Sequence, residues 1–185
     1  MVRKPRADAV RNRERLLEVA KAAFEEVGSD ISLEELARRA GVGIGTLYRH
    51  FPTRDAVVEA VYRREFEHLS DSAAHMLESM PPAEALHRWM LLFVDYITTK
   101  KIIAPALQSI AGGPSELYAS SGARLTEAIH LLVAKAKDAG GIRSDVHPED
   151  VIRALIGFTH TNPGPGWDAS ARRLVDILMN GLRTP

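Results

Sequence analysis

Apolar side chains recur at helical spacing along almost the whole chain, and no stretch alternates convincingly with period two. Residues 11–27 place Leu16, Ala20, Ala23, Phe24 and Val27 on one face, with Glu14, Glu18, Lys21 and Glu25 mostly off it; Gly28 closes the helix. The stretch SLEELARRAG follows. Ser32 can cap a helix, Glu35 can complete a capping box, and Ile31 with Leu36 occupies the two positions of a hydrophobic staple. Leu36, Ala37 and Ala40 form a small apolar face that ends at Gly41. A short helix at roughly 44–50 comes next. Phe51-Pro52-Thr53 interrupts, since proline disfavours helical geometry at the residue before it, and Thr53 can cap a long helix at about 54–79.

Beyond Pro81-Pro82, residues 83–98 carry the stripe Leu86, Trp89, Met90, Phe93, Tyr96 and Ile97. A less regular segment, 101–112, holds Pro105 and ends at Gly112-Gly113-Pro114. A helix at 115–139 is stopped by Gly140-Gly141. Pro148 reads as a first-turn proline, with Glu149 and Asp150 suited to the positive end of the helix dipole, and predicts a helix at about 149–161. NPGPG at 162–166 breaks the chain before a final helix at about 168–182. The expectation is an all-α protein of about nine helices.

Composition narrows the classes. The 185 residues suffice for one sizeable core or two small packed units. Lysine and arginine number 24, balanced by 24 acids, so no strong overall charge advertises a partner. The balance is uneven: Arg3, Lys4, Arg6, Arg11, Arg13 and Arg15 face only Asp8 and Glu14 at the front, and the chain beyond residue 54 is mildly acidic. Cysteine is absent, which excludes disulfides and thiolate metal sites. No apolar run approaches the ~18 residues of a membrane span. The N-terminus lacks the apolar region of a signal peptide. A cytoplasmic location and no membrane partner are expected.

Enzyme signatures are missing too. His68, His75, His87 and His130 are scattered on helices, and the first two lie too far apart for the i,i+4 pair of a helical zinc site. No H-E-x-x-H, nucleophile elbow or glycine-rich dinucleotide loop occurs, and a Walker-type loop would need a lysine after the glycines and a preceding strand. Neither catalysis nor a cofactor is expected.

The first 54 residues carry the informative pattern. Three helices in the order long, short, short are the content of a helix-turn-helix domain, whose second short helix lies in the major groove while the first crosses the backbone. Gly41 can take the positive φ of a sharp turn. Val42 and Leu47 can turn inward, leaving Thr46, Tyr48, Arg49 and His50 as candidates for the outside.

SLEELARRAGVGIGTLYRHFPTRDAVVEAV closely resembles the DNA-binding domain of the tetracycline-repressor (TetR) family. Ala37 to Val42 match its Ala-x-x-Ala-Gly-Val turn. Gly45 to Phe51 match its Gly-Thr-Leu-Tyr-x-His-Phe recognition segment, and Thr53, Arg54 and Asp55 match the start of the next helix. The resemblance is specific over about residues 11–60. PAEALHRWMLLFVDY, ARLTEAI and ARRLVDILMNGL are more loosely similar to the bacterial SbtR-like subgroup.

The resemblance implies that Thr46, Tyr48 and His50 face a duplex, Tyr48 and His50 at phosphates, with Arg54 reaching another phosphate. Gly43, Ile44 and Gly45 would bring the helix N-terminus close to the groove. Many relatives have serine at the place of Gly43 and a basic residue at the place of Ile44; here a cap and a polar contact are lost together, and Ile44 could touch a thymine methyl instead. Arg49 reads either as a contact or as solvated surface. The basic N-terminal arm would follow the DNA backbone as a flexible segment.

A helix-turn-helix domain at 1–54 would therefore precede a larger helical domain at 55–185, the two linked through the long helix at 54–79, within which the boundary between the packed units is expected. In the resembled family such helices hold an effector cavity and a dimer interface. Candidate cavity residues are Trp89, Met90, Phe93, Tyr96, Leu107, Tyr118, Leu125 and Ile129, although such a stripe also suits plain core. Asp95 and Glu127 lie opposite the apolar stripes and are expected to face water, so an apolar or weakly polar effector is favoured. Candidate dimer residues are Val151, Leu155, Phe158, Leu174, Val175, Leu178, Met179 and Leu182, because paired apolar helices from two subunits can form a twofold four-helix interface. The expected protein is a homodimeric, effector-released repressor on a palindromic double-stranded DNA operator. A helical protein-interaction adaptor, or a small helical enzyme, is the alternative.

Overall fold

A computed structural model describes residues 4–110, 121–159 and 166–184. Gly112-Gly113-Pro114, Tyr118, and residues 162–165 of the NPGPG break lie outside the described residues. Among those described the fold is all-α, with eight helices: α1 Lys4–Val27, α2 Leu33–Ala40, α3 Ile44–His50, α4 Arg54–Ser79, α5 Pro82–Ser109, α6 Ser121–Asp138, α7 Pro148–Thr159 and α8 Trp167–Leu182.

Two expectations about helix extent are corrected. The basic arm is helical from Lys4 onward, continuous with α1. Its proline, Pro5, falls in the first turn, where a missing N–H costs nothing. The segment containing Pro105 is the last part of α5, so two expected helices are one. An interior proline costs about 3 kcal/mol. Ile103, Ala106 and Leu107 around it are buried, and each large side chain contributes roughly 1.5–3 kcal/mol on burial, enough to hold the helix through Pro105.

The chain divides into two compact units. The first comprises the described residues of Met1–Glu65 and Thr99–Glu116, so it extends beyond residue 54 and includes the end of α5. The second comprises those of Phe66–Thr98 and Leu117–Pro185.

In the first unit, Leu16, Leu17, Ala20 and Phe24 of α1 are buried, as are Leu36, Ala37 and Ala40 of α2, Leu47 of α3, and Val57, Val58 and Val61 of α4. An isolated helix as short as α2 is unstable in water, so its buried face and its caps carry it. At its start, Ser32 Oγ accepts the Glu35 amide at 3.1 Å. At its end, Gly41 adopts φ 62° and ψ 35°. Its N–H reaches Arg38 O at 3.1 Å and that of Val42 reaches Ala37 O at 3.0 Å, the paired bonds of a Schellman turn. The Arg15 guanidinium of α1 also donates to Ala40 O. Ion pairs join the elements further: Lys21 to Glu65 at 2.5 Å, Arg64 to Glu14 and Glu18 at 3.3 and 3.0 Å, and Arg39 to Glu26 at 2.5 Å.

The second unit is centred on Trp89, which is fully buried and donates Nε1–H to Leu69 O at 2.9 Å. Phe93 lies 6.0 Å from its ring centroid and Tyr96 continues the aromatic row. Gly140 ends α6 with φ 68°. The chain after α8 returns to the α6–α7 connection through one antiparallel bridge, Ile142 with Arg183.

Candidate nucleic-acid interface

The path from sequence to site runs through the turn between α2 and α3. With Gly41 left-handed and Leu47 1% exposed, α3 presents one side to the core and the other to solvent. Phe51 caps α3, buried, with the Arg13 guanidinium 5.4 Å from its ring centroid. Val42 is half-buried. Thr53 Oγ1 accepts the Ala56 amide at 3.1 Å and starts α4.

The outward side of α3 holds Ile44, 39% exposed, Tyr48, 45% exposed, and exposed Arg49. Thr46 and His50 are half-buried at its edge. Gly43 has φ −67° and ψ 144°, which any residue can adopt, and a Cβ there or at Gly45 would meet nothing within 4 Å. Neither glycine is required by the chain's own packing, and α3 begins without a side-chain cap.

The electrostatics of this unit are largely internal. Glu35 does not complete the capping box; its carboxylate turns to Arg38 at 2.7 Å and Arg39 at 2.8 Å. Those hydrogen bonds, Arg38 first, pull its pKa from 4.5 down to about 2. Between residues 8 and 65, the lysines and arginines pair with a carboxylate or, for Arg15, a carbonyl. Arg49 alone among those described has neither. Arg54, expected to reach a phosphate, lies here against the α1–α2 connection. Its Nη2 donates to Ser29 O and to Asp30 Oδ1, the latter at 2.6 Å. Asp30 had no signal in the sequence, because 24 residues separate it from Arg54.

Two family models match the chain. The one for bacterial regulatory proteins of the tetR family covers residues 16–61, and the one for the transcriptional regulator SbtR-like C-terminal domain covers residues 81–184. A TetR transcriptional regulator from Streptomyces coelicolor is 44% identical, with a TM-score of 0.81 over 92% of this chain and 98% of its own. A TetR transcription regulatory protein from Mycobacterium vanbaalenii is 34% identical, with a TM-score of 0.79 over 97% and 99%. The chain belongs to the TetR family. An HTH-type transcriptional regulator of Staphylococcus aureus is 29% identical over 81% of this chain and 80% of its own length.

For this TetR-family regulator, the residues picked out beyond α4 fall into distinct environments. Trp89, Met90, Phe93, Tyr96 and Ile129 are buried in the second unit, Leu125 is half-buried there, and Leu107 is buried in the first unit. Glu127 is exposed. Asp95 is not simply solvated: its carboxylate accepts from Arg172 of α8. The α7–α8 candidates divide as well. Val151, Leu155, Val175 and Met179 are at most 1% exposed within the single subunit, Phe158, Leu178 and Leu182 are half-buried, and Leu174 is 37% exposed. Ile156 and Ile177, which periodicity did not single out, are 43% and 66% exposed. No helix among the described residues is long and apolar enough to cross a membrane. No group of three potential metal-ligating side chains occurs among them.

Proposed function

We propose that this TetR-family regulator is a homodimeric repressor that binds a palindromic DNA operator through α3 and leaves it on binding an apolar or weakly polar effector. The observation that carries the reading is the outward side of α3. Exposed Tyr48 and Ile44, bare Gly43 and Gly45, and Arg49 without a charged partner serve no packing or pairing among the described residues. A duplex uses all of them: phosphates for Tyr48 and His50, a groove edge for Thr46 and Arg49, a methyl for Ile44, and close backbone approach at the glycines.

Two copies joined through α7 and α8 would present their α3 helices about 34–36 Å apart, one turn of DNA. Exposed Leu174, Ile156 and Ile177 supply the apolar surface for that pairing, with half-buried Phe158, Leu178 and Leu182 beside them. The match of residues 81–184 supports placing the regulator in the SbtR-like subgroup. The effector would lie among the aromatic and aliphatic side chains of α5 and α6. Arg172 offsets the Asp95 carboxylate of α5, and this supports an uncharged ligand. Differential effector affinity of a few kcal/mol between two dimer states suffices to release DNA, and α4, which begins at Arg54, is the lever.

The test is selection of bound duplexes from random DNA, followed by a salt-dependent mobility shift on the winner. Tyr48→Ala with His50→Ala removes two phosphate contacts per subunit and should weaken binding at least ~30-fold, at roughly 1 kcal/mol per hydrogen bond. Full binding by that double variant, with an unchanged circular dichroism spectrum, overturns the assignment. For the effector, thermal-shift screening should score neutral apolar compounds; hits confined to highly charged ones refute that part.

A further inference from the structure

The first turn of α4 holds an ion pair that the proposed function has to break. Arg54 is read there as a phosphate contact, yet its guanidinium is bonded to Asp30 at 2.6 Å. We propose that Asp30 is a built-in competitor for the DNA phosphate: binding exchanges an internal Arg54–carboxylate pair for an Arg54–phosphate pair, and Asp30 thereby sets operator affinity. The inference rests on the DNA-binding reading of α3 and α4.

Three features support an exchange rather than a fixed strut. First, carboxylate and phosphate present the same kind of oxygen acceptor to a guanidinium, so one replaces the other without redesign of the site. Second, the Arg54 fork is only partly used. Nη2 carries the bonds to both Ser29 O and Asp30, while Nε is buried with no hydrogen-bond partner among the described residues. The Ser29 carbonyl, on a buried residue, can keep the arginine aligned while Asp30 departs. Third, the Asp30 side chain is 98% exposed and Arg54 is its one hydrogen-bonding and ionic partner among the described residues. Releasing it costs no packing. A carboxylate held beside the group aimed at DNA, and expelled into the field of the phosphates, subtracts from affinity twice: it must be displaced, and it is then repelled.

The experiment uses the full chain and a duplex selected by it. Affinities of wild type, Asp30→Asn, Arg54→Gln and the double variant are measured across a salt series, with melting temperatures recorded for each. Asp30→Asn should tighten binding ~3–10-fold at low salt. It should also steepen the log–log salt dependence by up to about 0.9, the contribution of one phosphate contact freed of its internal competitor. In the Arg54→Gln background the same change should give a distinctly smaller gain, the part due to repulsion alone, since the displacement part needs Arg54 and coupled residues are non-additive.

An Asp30→Asn variant that binds like wild type or more weakly overturns the exchange and makes the pair structural. An equal gain in both backgrounds also overturns it, because that is long-range repulsion acting without Arg54. A second measurement needs no Arg54 variant: the carboxyl carbon resonance of Asp30 should shift on adding duplex, and an unmoved resonance at saturation refutes release. Failure of the underlying reading looks different, since the wild-type chain would then select no duplex.

Discussion

Gly41 offers the sharpest test of how the α2–α3 turn is built. Alanine there meets two penalties. At φ 62° a Cβ crowds the following carbonyl, which costs roughly 1–2 kcal/mol. That Cβ would also stand 2.6 Å from Nη2 of Arg15, the atom that donates to Ala40 O. The guanidinium is the far end of a flexible side chain and can move, but moving gives up the bond. Because Arg15 is exposed, that bond is discounted below the roughly 1.5–3 kcal/mol of charged hydrogen bonds, to about 1 kcal/mol. Alanine lowers the entropy of the unfolded chain, offsetting about 0.4–1 kcal/mol. The net expectation is a loss of about 2 kcal/mol from these opposing terms. Urea unfolding followed by far-ultraviolet circular dichroism reads the total, and amide exchange localises it, with faster exchange expected at Ala37, Ala40 and Leu47. Arg15→Ala in the Gly41→Ala background separates the two penalties: the clash term predicts coupling of about 1 kcal/mol. A Gly41→Ala protein within about 0.5 kcal/mol of wild type, the usual range for a surface change, would refute the turn geometry; purely additive effects would remove Arg15 from the account.

Other outcomes follow from the same unit. Gly43→Ser fits the open N-cap of α3 and should stabilise by roughly 0.3 kcal/mol in the same urea assay, since glycine is already tolerated at an N-cap and serine adds the missing cap bond; destabilisation would mean the site is not as open as its geometry. Ile44→Lys should raise general DNA affinity and steepen the salt slope by about one phosphate per half-site, whereas an unchanged slope places position 44 away from the phosphates. Glu35 should titrate at about 2 by carboxyl NMR. Its folded pKa is depressed, so the stabilisation it provides is fully present above the ordinary value of 4.5 and fades as pH falls from there through about 2. Arg38→Ala should move the midpoint back upward, and an unmoved midpoint would discount the Arg38 bonds.

Much of the interface unit was legible because its signals are local. Ser32 and Gly41 bracket α2, Thr53 starts α4, and Pro52 separates α3 from α4. Each acts within four residues along the chain, where composition and backbone geometry are directly linked. The outward placement of Tyr48 and Arg49 follows from the same periodicity once Leu47 is buried.

What periodicity could not decide was which apolar or charged face finds which neighbour. Val175 and Met179 belong to the same wide apolar arc of α8 as Leu174, yet they are buried in the subunit and Leu174 is not. A wide apolar arc serves two surfaces, and only packing assigns them. Capping chemistry offered Glu35 to its own helix start, and two neighbouring guanidiniums took it instead. Pro105 marks a break locally, but burial on both sides of it outweighs the break. Arg54 reads outward from its place in the first turn of α4, and tertiary folding brings the Ser29 carbonyl and the Asp30 carboxylate to it. Most of the helices, the ends marked by Ser32, Gly41 and Thr53, and the solvent side of α3 were legible along the chain, because those depend on interactions a few residues long. The tertiary structure alone decided the partners of the charges and the division of the apolar faces, because electrostatic and packing energies depend on distance in space and not on separation along the chain.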